Sequence, residues 1–297
     1  MNFPETEEAP LATRSAARRR LPAHGYAGIV LVVLSWTLSW ARIDPFFRYS
    51  FFPLWFGYIT TMDALVYWRQ GTSFYTRNIW KVVQLFIFSS LFWWAFEGAN
   101  MPVQNWHYIL DQRYSRFMYI VIASLDFSTV LPAVLETAEF VTSFRRFQPR
   151  LPPANPGPLA PRGIRLIIFG AGIISCIAPV LWPTQTFYLI WVALVLLLDP
   201  INNTLRQKSS LGHALALDWR FFLALPLSGL ICGFFWEMWN WLAMPKWYYT
   251  VPYVGFAKVF EMPILGYTGY LPFALELFAL YQLALFLTHQ RNDGLAF

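Results

Sequence analysis

Four glutamates recur at one fixed offset in a chain that makes little use of charge. Glu97 stands three residues before Asn100, and Glu237 three before Asn240 (237 − 97 = 140). Glu136 closes the run Leu131-Pro132-Ala133-Val134-Leu135-Glu136, and Glu276 closes Leu271-Pro272-Phe273-Ala274-Leu275-Glu276 (276 − 136 = 140). All four lie in or beside apolar segments, where an ionisable group is expensive and needs a role. A step of three puts each Glu–Asn pair on one helix face, where the amide can donate to the carboxyl. Each half also places an aromatic pair between its two acids, Trp106 with Tyr108 and Trp247 with Tyr249. A carboxyl in a dry pocket can donate a proton, and ring faces attract a cation. The chemistry that fits is protonation of an alkene, with the carbocation sheltered from water. In this reading Glu276 or Glu136 donates the proton. Glu237 or Glu97 stabilises charge or takes a proton back, positioned by Asn240 or Asn100. Trp106, Tyr108, Trp236, Trp247 and Tyr249 line the substrate tunnel. The structural alternatives are helix–helix glue for the Glu–Asn pairs and an interfacial aromatic belt for the tryptophans.

The elements that must position these residues are membrane helices. The chain has 297 residues, 57% hydrophobic and only 13% charged, against roughly 25% charged in a soluble domain. The expected fold is an all-α integral membrane protein. A spanning helix needs about 20 mainly apolar residues. That length predicts eight spans, near 26–41, 51–68, 80–99, 122–144, 164–182, 185–200, 220–243 and 265–288. Prolines at 132 and 272 predict kinks one turn before Glu136 and Glu276. The stretch from Gln148 to Gly163 holds six prolines and reads as a semi-rigid linker. The domains are therefore a basic tail (1–25), a first four-helix repeat (26–147), the linker (148–163), a second repeat (164–290) and a short tail (291–297). Four helices per half is an even number, so the two repeats run the same way through the membrane, as parallel repeats. Loops 100–121 and 244–264 are long and aromatic, and are expected to lid one mouth of the bundle.

Basic residues fall on alternate connections: Arg14 to Arg20, then Arg69 to Lys81, then Arg145 to Arg165, then Arg206 to Arg220, and Arg291. By the positive-inside rule both termini face the cytoplasm, in a bacterial inner membrane. The net charge of +6 is spent on these topology signals, which argues against nucleic acid as a partner. Cys176 and Cys232 read as packing residues. The four histidines are scattered, and no phosphate loop or nucleophile elbow is present. No metal and no cofactor is expected. Asp63 and Asp199 lie near bases at helix ends and are expected to pair with them. Glu139, Asp126 and Glu261 have no counterpart in the other half, which marks either specialisation or a loop edge.

An acid and Asn at a helix end, a Trp-x-Tyr loop, then a proline with an acid and aromatics following, all repeated, resembles the membrane-embedded lycopene cyclases. These are the small-subunit or fused type that lacks a flavin domain. The second half carries Glu237, Asn240, Trp247, Tyr249, Gly269, Pro272, Glu276 and Phe278, and the first half Glu97, Asn100, Trp106, Tyr108, Pro132, Glu136 and Phe140. The family places paired acids two and three residues after the proline; here the acid comes four after, in both halves. The resemblance implies a redox-neutral, acid-initiated carotenoid or isoprenoid cyclase or isomerase that needs no metal.

Two other functions compete. Parallel repeats with midplane acids also suit a proton-coupled transporter of lipids or small molecules. A structural or accessory subunit of a membrane complex is the third. The expected partners are membrane lipids and a lipophilic substrate, together with a membrane-complex partner or a second copy under the third reading.

Overall fold

A computed structural model describes residues 20–110, 114–152 and 155–290. Both extreme tails, 1–19 and 291–297, and residues 111–113 and 153–154 lie outside the described residues. The chain is mostly helical. In order, α1 spans Ala23–Trp40, α2 Phe51–Gln70, α3 Phe74–Arg77, α4 Ile79–Val103, α5 Arg116–Phe127 and α6 Val130–Thr142. After the linker come α7 Arg162–Leu181, α8 Pro183–Thr186, α9 Ile190–Thr204, α10 Ser210–Leu215, α11 Trp219–Trp241 and α12 Tyr270–Leu287. Among the described residues seven segments are long and apolar enough to cross a membrane: Ala23–Trp40, Ile79–Val103, Arg116–Thr142, Arg162–Leu181, Pro183–Thr204, Trp219–Trp241 and Ile264–Leu287. They coincide with seven of the eight expected spans. The eighth, α2, has 20 residues, but Asp63, Arg69 and its threonines make it less apolar.

Two expectations are corrected. The fold is not purely helical, because the aromatic loops contribute short strands. Strand β1 (Trp106–Ile109) pairs antiparallel with β2 (Lys246–Tyr249), and β3 (Lys258–Val259) with β4 (Met262–Pro263). The prolines also do not kink continuous helices. Pro132 and Pro272 each sit in the first turn of a new helix, α6 and α12, where a missing N–H removes no intrahelical bond. The predicted span 122–144 is thus two helices, α5 and α6. The break between them is stitched by Ser89 of α4, whose hydroxyl donates to Phe127 O at 2.6 Å and accepts from Leu131 N at 2.9 Å. One polar side chain so satisfies backbone that would otherwise be stranded in an apolar layer.

The core lies where α2, α4, α6, α11 and α12 meet, and it is built from rings: Trp55, Phe74, Phe96, Phe221, Phe273, Phe278 and Tyr281 are all fully buried. Helix α1 docks on α2 by backbone approach. A Cβ on Gly57 would stand 2.8 Å from Gly28 O, so this crossing tolerates only glycine, as small-residue contacts between membrane helices do. The described residues of the linker are pinned to the second half. Arg150 N and Leu151 N donate to Asp218 at 2.7 and 3.1 Å, and Ala160 N to Asn203 Oδ1 at 2.9 Å.

Of the two aspartates expected to pair with bases, Asp63 meets His24 and Asp199 meets backbone amides. Asp63 accepts from Ser73 Oγ and Tyr75 N at the start of α3, both at 2.9 Å, and pairs with His24 at 3.0 Å. Asp199 accepts from Ser210 N and Leu211 N at 2.6 and 2.8 Å. Each carboxylate caps a short helix, because unsatisfied amides at a helix start attract an anion. Arg69 meanwhile lies over the Phe144 ring, 3.6 Å from its centroid.

Candidate functional site

The site begins at the ends of α4 and α11, where the repeated Glu–Asn step holds a strand against its own helix. Asn100 Nδ2 donates to Trp106 O at 2.8 Å, and its Oδ1 accepts from Asn105 N at 2.8 Å. Asn240 repeats this with Trp247: Nδ2 donates to its carbonyl at 2.8 Å and Oδ1 accepts from its N–H at 2.9 Å. Both asparagines are buried and spend their polar atoms on backbone. They therefore fix where β1 and β2 leave the helices.

The two strands, so fixed, pair with each other. Trp106 lies opposite Tyr249 and Tyr108 opposite Trp247, so each tryptophan faces the tyrosine of the other half. Their polar tips turn back to the helices and close on the glutamates. Glu97 Oε1 accepts from Trp93 Nε1 at 3.0 Å, Trp106 Nε1 at 3.0 Å and Tyr108 OH at 2.5 Å. Glu237 Oε1 accepts from Tyr249 OH and Tyr270 OH, both at 2.6 Å, and from Trp247 Nε1 at 3.4 Å. Three ring donors on one carboxylate oxygen stabilise its charge. Burial first, and then the adjacent glutamate, push the Tyr108 and Tyr249 hydroxyls well above their usual range. Both remain donors. Glu237 Oε2 is buried without a partner.

The ring faces that do not hold the glutamates enclose a cavity of about 560 Å³, within the range of small-molecule pockets. Trp106, Tyr108, Trp236, Trp247 and Tyr249 line it, as expected, together with Trp93, Trp191, Trp239, Tyr270 and Phe273. Glu97 and Glu237 are not on its wall. They stand one layer behind it, reached through the indoles and phenols. Glu136 and Glu276 are not on the wall either. Both are buried; Glu276 Oε1 accepts from Leu194 N at 2.9 Å, and neither oxygen of Glu136 has a hydrogen-bond partner. The structure thus gathers the aromatic residues and the Glu97 and Glu237 pairs, and leaves the other two glutamates apart.

Among the described residues one carboxyl does line the cavity: Asp126, near the end of α5. The backbone N–H of Phe52 donates to it, so it also caps the start of α2, whose own N-cap residue makes no side-chain bond. Arg48 lines the same wall, ion-paired with Asp44 and 4.3 Å from the centroid of Phe47.

Tyr270 is the contributor that sequence reasoning missed. Its counterpart at the 140-residue offset is Val130, so a search for repeated residues passes over it. The signal that could have found it lies at Gly233, the counterpart of Trp93. A Cβ on Gly233 would stand 2.3 Å from the Tyr270 ring. Where α4 carries Trp93, α11 has Gly233, and the Tyr270 ring of α12 fills that place.

Among the described residues no group of three or more His, Cys, Asp or Glu is placed to hold a metal ion. Neither a family model, a curated protein nor a solved structure matches this chain.

Proposed function

We propose that the chain is an intramembrane, acid-catalysed isomerase or cyclase of a long, unsaturated, isoprenoid-type lipid. The observation that carries this reading is the ring-walled cavity with the Glu97 and Glu237 carboxyls held just behind it by the indole and phenol donors. Indole and phenol faces favour a positive charge inside the cavity, and the apolar lining keeps water from quenching it. Asp126 takes the donor role, as the carboxyl on the wall. Its proton passes to an alkene carbon, a C–H bond forms and the neighbouring carbon becomes cationic. Attack by a second double bond forms a C–C bond. Loss of a proton from the adjacent carbon to the Asp126 carboxylate restores an alkene and the acid. The sequence is redox-neutral and consumes no co-reactant. Glu136 and Glu276 act in the scaffold.

In this reading the chain forms eight spans in two parallel four-helix repeats, with α2 as the eighth and both termini on the cytoplasmic side of a bacterial inner membrane. The test is expression in cells that accumulate acyclic polyenes such as lycopene, with extraction and mass-resolved chromatography of the lipids. A product of unchanged mass and shifted retention is expected, and Asp126→Asn should abolish it. An unaltered profile across a panel of acyclic polyprenyl lipids would overturn the proposal.

One arrangement favours a proton-coupled carrier instead. His24 with Asp63, Arg77 with Glu139 at 2.6 Å and the unpartnered Glu136 place a run of ionisable groups inside the first half. A carrier predicts substrate flux in proteoliposomes that is lost in Glu136→Gln; the isomerase predicts no flux.

A further inference from the structure

At the arginine-rich end of the bundle, α7 and α9 part to leave a groove of about 300 Å³. We infer that this groove holds one anionic phospholipid, with its phosphate at Arg162 and Arg165 and an acyl chain along α7 and α9. Among the described residues the groove is lined by Arg162, Arg165, Thr204 and Pro200 and by the apolar side chains of Leu166, Phe169, Ile201 and Leu205. Its polar residues are thus two cations and a hydroxyl, with no acid among them. Arg165 is held in place by its Nη1, which donates to Thr204 Oγ1 at 2.5 Å, while its Nε is buried with no partner. Two further features direct the site toward an anion. No side chain caps the start of α7, whose N-cap is Pro161, so its first amides face outward with the positive end of the helix dipole. A Cβ at Gly163 would meet nothing within 4 Å, so the space over those amides is open. The acid nearest in sequence, Asp199, is buried and turned to the amides of Ser210 and Leu211.

The occupant must be a lipid because of what surrounds the groove. Leu166, Ile167 and Ile174 are 58%, 74% and 64% exposed on a helix apolar enough to cross a membrane, so this face meets acyl chains. Basic pockets between membrane helices at headgroup depth select anionic lipids. The same cations and helix start would repel the choline of a zwitterionic lipid.

The test uses the full chain in bilayer nanodiscs of phosphatidylcholine with a minor fraction of phosphatidylglycerol, read by the immobilised component of spin-labelled analogues of each lipid. Wild type should favour phosphatidylglycerol by about fivefold per arginine. Arg162→Gln with Arg165→Gln should remove the preference. Equal immobilisation of the two lipids by wild type would overturn the inference, with no variant needed. So would displacement of the labelled lipid by excess inorganic phosphate, which would mark a free-phosphate site, or a preference seen only in a dimeric fraction, which would mark an interface between copies.

Discussion

The two glutamate cups are built from the same parts and differ in how well they are sealed. Glu97 and Glu237 each receive three ring donors on one oxygen. Glu237 is fully buried, and its third donor, Tyr270, arrives from another helix; Glu97 is half-buried, and its third donor, Trp93, comes from its own helix, one turn back. A cup closed from two helices ties those helices together, whereas a cup closed within one helix ties only a strand to it. The second cup should therefore bear more of the stability and more of the field in the cavity.

Removing each carboxylate in turn exposes that difference most strongly. Glu237→Ala leaves three buried donors unsatisfied and should lower stability by about 3 kcal/mol or more, read as loss of thermal stability in detergent. Glu97→Ala, at a half-buried acid, should lower it by about 1–2 kcal/mol. Equal losses would erase the distinction. A smaller effect is expected at the helix faces. Gly233→Ala drives a methyl into the Tyr270 ring and should destabilise by about 1–3 kcal/mol, while Gly98→Ala, which meets nothing within 4 Å, should be neutral. Tyr270→Phe removes a single donor, at about 1–2 kcal/mol, and should weaken any product formation along with stability. A normal rate in that variant would place the second cup outside the chemistry.

An effect seen only on acidification concerns the His–Asp pair that each half carries at its arginine-rich end. His213 is almost fully buried, 3.1 Å from Asp218, beside Lys208 and stacked on Phe221 at 3.9 Å; His24 is a third exposed. Burial, with the Lys208 charge, brings His213 down to about 4. An unfolded histidine titrates near 6.5, so between these values the unfolded chain binds more protons than the folded one. Stability should then fall as pH drops from about 6.5 towards 4, and His213→Gln should flatten that slope in a series of melting curves.

The helices were legible in the sequence because apolar length and alternate basic loops speak for each element alone. Seven spans fall where expected, with boundaries shifted by a few residues. The aromatic wall was legible as well: Trp106, Tyr108, Trp236, Trp247 and Tyr249 were named from their place beside repeated acids. The break at residues 128–129 was not, since it depends on Ser89, a residue of another helix. The contribution of Asp126 and Tyr270 was hidden for a related reason. Repetition picks out residues that both halves keep, and these two stand where the halves diverge. Distance between the acids and the cavity was equally invisible, because a sequence places Glu237 beside Trp247 without saying which of them faces the space.

The strand pair that roofs the cavity has a consequence in time. Strand β1 leaves the ribosome about 140 residues before β2, and synthesis runs at about 5–20 residues per second. For an interval on the order of ten seconds, Trp106 and Tyr108 have no strand to pair with. During that interval the first half stands in the bilayer with its aromatic edge uncovered, within reach of a second nascent chain or of a chaperone. The roof closes only after α11 has entered and its own strand has emerged.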